Sequence, residues 1–326
     1  MDKVIPLKDR LEIVLKKVFD TRYGENPHQK GGFYVDQKEK DPLAVQNFKK
    51  LQGKQLSFNN ILDIDAVVSA LSEIENGRPC CVVVKHTNPC GAAYGRDIRE
   101  AYLRAWYKGD SLAAFGGIIG VNRRINRKLA EAMIKNFFEI LLAPAVDLSA
   151  LKIFSKKPKI RILVNSYLRN PKRQKGMDVK KVRGGFLVQT PDAMRISKRN
   201  IKPVTKKKPS ETQLKDLLFA WRVCKVSKSN AVVLAKEETL ISSGVGQQDR
   251  KRACQLAVEK AGERAKGAVA ASDGFFPFPD GPEILIRAGI RAIIQPGGSI
   301  RDKLTIDLCN KYKIPMVFTG VRGFRH

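Results

Sequence analysis

The chain carries three histidines, His28, His86 and His326, and one of them follows a lysine at the end of an apolar run. In Val82-Val83-Val84-Lys85-His86-Thr87-Asn88-Pro89-Cys90-Gly91 a strand delivers an ammonium and an imidazole into a turn punctuated by Pro89 and Gly91. Strand ends are where open α/β sheets bind ligands. An imidazole exchanges protons near neutral pH, and an adjacent ammonium tunes it and attracts anions. Spacing alone fits a general acid–base or a structural histidine. Arg22-Tyr23-Gly24-Glu25-Asn26-Pro27-His28-Gln29 gathers donors around a glycine and a proline, with Arg22 suited to a two-pronged grip on phosphate or carboxylate. An ordinary polar turn explains it equally well. Gly244-Val245-Gly246-Gln247-Gln248-Asp249-Arg250 sets two glycines before a helix whose first turn could face an anion. The third glycine of a dinucleotide fingerprint is missing, which argues against NAD. Ala271 to Gly281 holds three phenylalanines and two carboxylates, either core or a surface for a flat conjugated ring. Gln295-Pro296-Gly297-Gly298-Ser299 offers backbone N–H groups in a Gly-Gly turn.

Short β-branched runs alternate with helical periodicity, the pattern of an α/β protein. Strands are expected at 81–85, 117–121, 160–164, 231–235, 268–271, 292–295 and 316–319, and helices over 98–107, 127–138, 211–223 and 248–261. Ser210 with Gln213 three residues on has the form of a capping box. The basic, proline-containing stretch before it is the best internal boundary, giving two α/β halves, 1–205 and 206–326.

A 326-residue chain that is 43 % hydrophobic can bury a large core, which excludes a mainly disordered protein. No apolar run approaches the ~18 residues of a membrane span, and Met1 to Pro6 lacks the look of a secretory signal. A cytoplasmic protein is expected. The six cysteines read as reduced packing residues without the paired spacing of a zinc site. Net charge is +29, and residues 152–208 supply 17 of it from 19 Lys/Arg against 2 Asp/Glu. A nucleic-acid footprint is a legitimate alternative, but no interleaved aromatic platform accompanies the charge, so a solvated basic surface is preferred.

Taken together in order, these segments resemble the AICAR (aminoimidazole carboxamide ribonucleotide) transformylase portion of the bifunctional purine-biosynthesis enzyme family. The resemblance is carried by Arg22 to Gln29, Leu56-Ser57-Phe58-Asn59-Asn60, Lys85 to Gly91, Ala114-Phe115-Gly116-Gly117, Lys228-Ser229-Asn230-Ala231, Gly246-Gln247, Ser272-Asp273 with Phe275 to Phe278, Gln295 to Asp302, and Phe324-Arg325-His326. It implies two cytidine-deaminase-like α/β subdomains, a duplicated three-layer α/β/α fold, in a homodimer with sites at the subunit interface. It also implies formyl transfer from 10-formyltetrahydrofolate to the 5-amino group of AICAR, giving its formamido product, FAICAR. By the same resemblance His86 is the base, assisted by Lys85, with Asn230 the candidate donor to the oxyanion and His326 near the reacting groups. Arg22, Tyr23 and Arg322 would bind phosphate, and Asn60, Phe115, Gly116 and Arg250 the base and ribose. Phe276, Pro277 and Asp280 would face the folate, and potassium is placed near Ser229 and Asp273. About twenty residues precede Arg22, so cyclohydrolase activity is expected to be absent. Gly274 and Pro279 depart from the family's usual Ala and basic residue. Competing expectations are another formyl donor, a separate IMP cyclohydrolase partner, or a nucleic-acid-binding protein on the same scaffold.

Overall fold

Two serines start two long helices by the same device. Ser57 accepts the Asn60 N–H while the Asn60 side chain takes the Ser57 N–H, and α1 (Phe58–Ile74) follows. Ser210 and Gln213 repeat the exchange ahead of α6 (Glu211–Lys225), as the sequence predicts. Each helix leads into an apolar hairpin: β4 (Cys80–Lys85) and β5 (Asn88–Tyr94) after α1, β12 (Val232–Lys236) and β13 (Thr239–Gly244) after α6. Both hairpins close on two residues of positive φ, His86 and Thr87 at 52° and 62°, Glu237 and Glu238 at 54° and 53°. That left-handed pair matches the right-handed twist of the flanking strands. Both hairpins also shift register at the same distance from the turn, between Val83 and Val84 and between Leu234 and Ala235.

This computed structural model describes Leu7 and residues 9–326; the Met1–Pro6 segment read for a targeting signal lies outside them. The two halves run in step. The first continues through α2 (Ile98–Tyr107), the short α3 (Ser111–Ala114), β6 (Ile118–Val121), α4 (Arg127–Met133), β7 (Ile140–Ala143), α5 (Leu148–Phe154) and β8 (Arg161–Val164). The second continues through α7 (Arg250–Ala261), β14 (Val269–Ser272), α8 (Asp280–Arg287), β15 (Ala292–Gln295), α9 (Asp302–Lys311) and β16 (Met316–Phe318). In each, the first hairpin strand pairs antiparallel with the next strand, and two more add in parallel, β4–β6–β7–β8 and β12–β14–β15–β16. Short strands β3 (Lys49–Gln52) and β11 (Lys202–Pro203) close the two edges, antiparallel to β8 and β16. The halves meet where β5 pairs with β13, Ala93 opposite Thr239, so the fold is mixed α/β on one twelve-stranded sheet. Two hairpins stand apart, β1 (Leu15–Asp20) with β2 (Gly32–Asp36) and β9 (Asp178–Val182) with β10 (Gly185–Gln189).

Helices cover both faces. α1 and α6 share one, over Val82, Val84, Val233 and Ile294; α2, α4 and α5 cover the other face of the first half, and α7, α8 and α9 that of the second. The strands are therefore apolar on both sides, which is why they read as continuous runs. Pro89 and Gly91 do not end the hairpin, contrary to their appearance in sequence; they lie inside β5, with Pro89 at the register shift opposite Val84, where the ladder is already broken. The basic segment 152–208 includes β8, beside one sheet edge, and β11, at the other, so its charge is not gathered on one face. All six cysteines are buried free thiols. Among the described residues no helix is long and apolar enough to cross a membrane.

Candidate active site

The His86-Thr87 turn lies where the first half meets the second. Its imidazole is exposed, while its backbone is held from three sides. From α1, Asp63 accepts the Thr87 N–H at 2.6 Å. Within the turn, Thr87 Oγ1 and Asn88 Nδ2 both donate to the His86 carbonyl, at 2.7 and 3.0 Å. From the second half, the Lys228 N–H donates to Asn88 Oδ1 at 2.9 Å. Burial pushes the Asp63 carboxyl above its ordinary pKa, against the Thr87 N–H and the positive potential of His86. Burial also pushes Lys228 down, as do the nearby Arg325 and Lys180.

Lys85 leaves the same strand end and donates to the Phe115 carbonyl at 2.9 Å, which joins two predicted residues. Phe115 is 60 % exposed and packs, tilted, at 4.9 Å against the also exposed Phe137, and Gly116 turns the chain at φ 75°. This leaves an open aromatic ledge beside an ammonium. Asn60 is buried at 6 % exposure. Its oxygen closes the capping box and its amide donates to Glu139 at 3.2 Å, so it shapes the wall rather than offering free atoms to a ligand. Glu139, which also faces Arg161 at 3.7 Å, and Asp63 were not singled out in the sequence. Asp63 stands one helical step beyond Asn60, a spacing that could have found it.

The second half contributes a cavity of about 340 Å³ lined by Asn230, Gln248, Asp249, Arg250, Phe275, Pro277 and Phe324. Arg250 is buried at its back, donating to Ser272 at 2.8 Å, to Asp273 and to Asn230, with its guanidinium 5.8 Å from the Phe324 ring. Several expectations change here. Asn230 donates both amide hydrogens, to Gln247 O at 2.9 Å and Gln248 O at 3.1 Å, so it has none left for an oxyanion and serves to orient Arg250. Phe276 is 1 % exposed and belongs to the core; its neighbour Phe275 lines the cavity instead, together with Pro277. Asp280 begins α8, accepts the Gly281 N–H at 2.8 Å and faces Lys251 at 3.7 Å. The glycine-rich turns are filled from within. Asp249 caps α7 by accepting the Arg252 N–H, and Asp302 takes the N–H groups of Gly298 and Ser299. Asp273 is fully buried, with one oxygen on the Ser229 hydroxyl at 2.6 Å and the other on Arg250, while Ser229 Oγ also accepts the Arg325 N–H at 3.1 Å. The arginine already meets that carboxylate's charge.

The C-terminus is tied to this wall: Ser229 N–H donates to the Arg325 carbonyl at 3.0 Å, and Lys180 of the β9–β10 hairpin donates to that of His326 at 3.2 Å. Arg322 lies over the Phe324 ring at 4.4 Å. Arg22 and Tyr23, stacked on each other at 5.6 Å, sit instead in the loop held against the start of α1, where Asn59 donates to the Glu25 carbonyl at 3.2 Å. Among the described residues no hydrogen bond or ion pair joins that loop to Arg322 within one chain.

Comparison with known proteins identifies the family. The family described as AICARFT/IMPCHase bienzyme matches residues 2–260. The bifunctional purine biosynthesis protein PurH of Acetivibrio thermocellus is 48 % identical over 97 % of this chain and 61 % of its own length. PurH of Thermoanaerobacter sp. is 45 % identical over 99 % of the chain and 62 % of its own, and that of Caldicellulosiruptor saccharolyticus 46 % over 100 % and 62 %. The chain thus spans about three-fifths of the length of these relatives. RibD of Acinetobacter baumannii aligns with 32 % of the chain at 18 % identity and a TM-score of 0.24, too slight a likeness to argue from.

Proposed function

We propose a formyl-transfer function for this chain, which belongs to the AICARFT/IMPCHase bienzyme family by its match over residues 2–260. The reaction moves the formyl group of 10-formyltetrahydrofolate to the 5-amino group of AICAR. The observation that carries this reading is the exposed His86 imidazole, fixed on a two-residue turn between the Lys85–Phe115 ledge and the segment Lys228–Asn230 that leads to the cavity. The amine of AICAR is conjugated with an electron-poor ring and attacks poorly unless its proton is removed. His86 takes that proton as nitrogen bonds to the formyl carbon, and the tetrahedral intermediate then expels tetrahydrofolate N10, which leaves with a proton. General acid–base help of this kind is worth about 10²–10⁴-fold. Lys85 is the donor with hydrogens to spare, since among the described residues its ammonium donates to one carbonyl, and it is assigned to the oxyanion and the departing nitrogen.

Phe115 and Gly116 take the base, Arg22, Tyr23 and Arg322 the phosphate, and Phe275 and Pro277 the folate ring. By the family resemblance, the reading includes a homodimer with sites between subunits. The exposed Leu11, Ile13, Val14, Leu15 and Val18 near β1, and Phe186 and Leu187 of β10, supply apolar surface for it. We also read the halves as cytidine-deaminase-like subdomains, with the boundary ahead of Lys202 rather than at 205/206, because β11 pairs with β16. The test is AICAR-dependent release of tetrahydrofolate, followed spectrophotometrically, with His86→Ala as the control. A folded His86→Ala chain that turns over like its parent would overturn the assignment. Supplying other formyl donors, or a separate IMP cyclohydrolase, separates the nearest alternatives.

A further inference from the structure

We propose that Asp63 is the positioning residue of His86: its carboxylate holds the left-handed His86-Thr87 turn, and with it the imidazole, where the proton is taken. The proposal rests on the formyl-transfer reading above. Thr87 is β-branched and sits at φ 62°, a conformation that such a side chain resists, so the turn needs an anchor outside itself. Asp63 supplies it from α1 through the 2.6 Å bond from the Thr87 N–H. The second half repeats the arrangement. Asp216 follows Ser210 by the interval that separates Asp63 from Ser57, and it accepts the N–H groups of Glu237 and Glu238 at 3.0 and 2.6 Å. An aspartate under a left-handed turn is therefore part of the repeated unit, and in the first half it lies under an imidazole.

The surrounding charges leave this role to Asp63. Lys85, on the same hairpin, is turned to the Phe115 carbonyl. Glu139, at the start of β7, is held by Asn60 and Arg161. Lys228, from the second half, reaches Asn88 through its backbone. When His86 takes the amine proton it becomes an imidazolium, and the nearby Asp63 carboxylate favours that form. The proton moves from substrate nitrogen to ring nitrogen, and Asp63 itself exchanges none.

Asp63→Ala, Asp63→Asn, Asp63→Ala with Thr87→Gly, and Asp216→Ala in the full chain test this. In ligand-free protein, amide exchange at Thr87 and the ring signals of His86, resolvable among three histidines, report the turn. Steady-state kinetics report its use. Asp63→Ala is expected to lose Thr87 protection and about 10²-fold in kcat, with KM for AICAR changed by less than about threefold. Asp63→Asn keeps an oxygen acceptor and should recover Thr87 protection and part of kcat, the charge that favours the imidazolium being lost. Thr87→Gly accepts positive φ without an anchor and should recover part of kcat in the Asp63→Ala background. Asp216→Ala should turn over like the parent. Parental kcat in Asp63→Ala, an equal loss in Asp216→Ala, or no rescue by either Asn or Thr87→Gly would overturn the proposal. If the parent formylates no AICAR, the functional reading falls, and unchanged Thr87 exchange with unchanged His86 ring signals in Asp63→Ala would then overturn the anchor on its own.

Discussion

The His86-Thr87 and Glu237-Glu238 turns are one piece of backbone used twice, at opposite ends of the antiparallel strands β5 and β13, and they differ in what surrounds them. At the Glu turn each glutamate faces an arginine, Glu237 at 4.0 Å from Arg104. Glu238 pairs with Arg78 at 2.6 Å, Arg104 donates to the Glu237 carbonyl and to Thr239 Oγ1, and Arg78 covers the Tyr94 ring at 4.7 Å. At the His turn the backbone is equally well held, yet the imidazole, the Phe115 ledge and the nearby cavity stay open. The repeat supplies a rigid left-handed turn. Whether it becomes a joint or a site depends on what the opposite half sends toward it: Arg78 and Arg104 close the one, and Asn230 and Arg250 line a cavity at the other.

The largest expected contrast is in turnover. His86→Ala should lose about 10²–10⁴-fold in kcat, whereas Glu237→Ala, its counterpart in the repeat, should leave the rate at the parental level in the tetrahydrofolate-release assay. Equal losses in both would mean that the two turns matter only as parts of the fold. The next contrast is in stability. Arg250 is the first residue of α7, where α2 has Ile98, and it neutralises the fully buried Asp273. Replacing it by Met strands that carboxylate, and urea unfolding should show a loss of about 3–5 kcal/mol. The half-exposed Arg78–Glu238 pair should cost at most about 1 kcal/mol when Arg78→Met breaks it. A cheap Arg250→Met would show that Asp273 has another counter-charge. Between these falls Asp216→Ala, which frees two backbone N–H groups in part-buried surroundings and should cost about 1–3 kcal/mol without a change in kcat.

Much of this asymmetry was legible in the sequence; the symmetry beneath it was legible as two α/β halves but not in the shared hairpin turns. Cys81 to Lys85 and Ala231 to Ala235 are apolar on both faces, so burial alone marks them as strands. β5 and β13 stayed hidden because Pro89 and Gly91 imitate a loop and because Thr239 to Gly244 is half serine and glycine. α1 was missed although its apolar residues form a broad face, since Asp63, Asp65 and Glu73 interrupt it, and their tolerance depends on partners distant in the chain. Lys85 and His86 could be picked out by type and spacing. That Phe275 faces the cavity while Phe276 fills the core could not, because adjacent loop residues carry no periodicity, and the commitment of Asn230 to two carbonyls appears only when β12 and the 245–248 loop come together.

The smallest effect bears on whether the two anchors are truly equivalent. Burial holds the carboxyls of Asp63 and Asp216 above the usual 3.8, against the backbone N–H groups they accept. A raised value means that the folded chain binds the proton more tightly than the unfolded one. The associated stability is therefore full below the unfolded value and is lost as pH rises through the folded one. Asparagine has no such proton to lose. The melting temperature of Asp63→Asn, relative to the parent, should thus climb as pH rises from about 4 toward neutrality, and Asp216→Asn should follow the same trend. If only Asp216→Asn climbed, the Asp63 carboxylate would be compensated by something its counterpart lacks, and the His86 ring is the group that acts on Asp63 and has no equivalent at Asp216. Repeating the scan in His86→Ala would then separate them: removing the imidazole should restore the climb at Asp63 and leave Asp216 untouched.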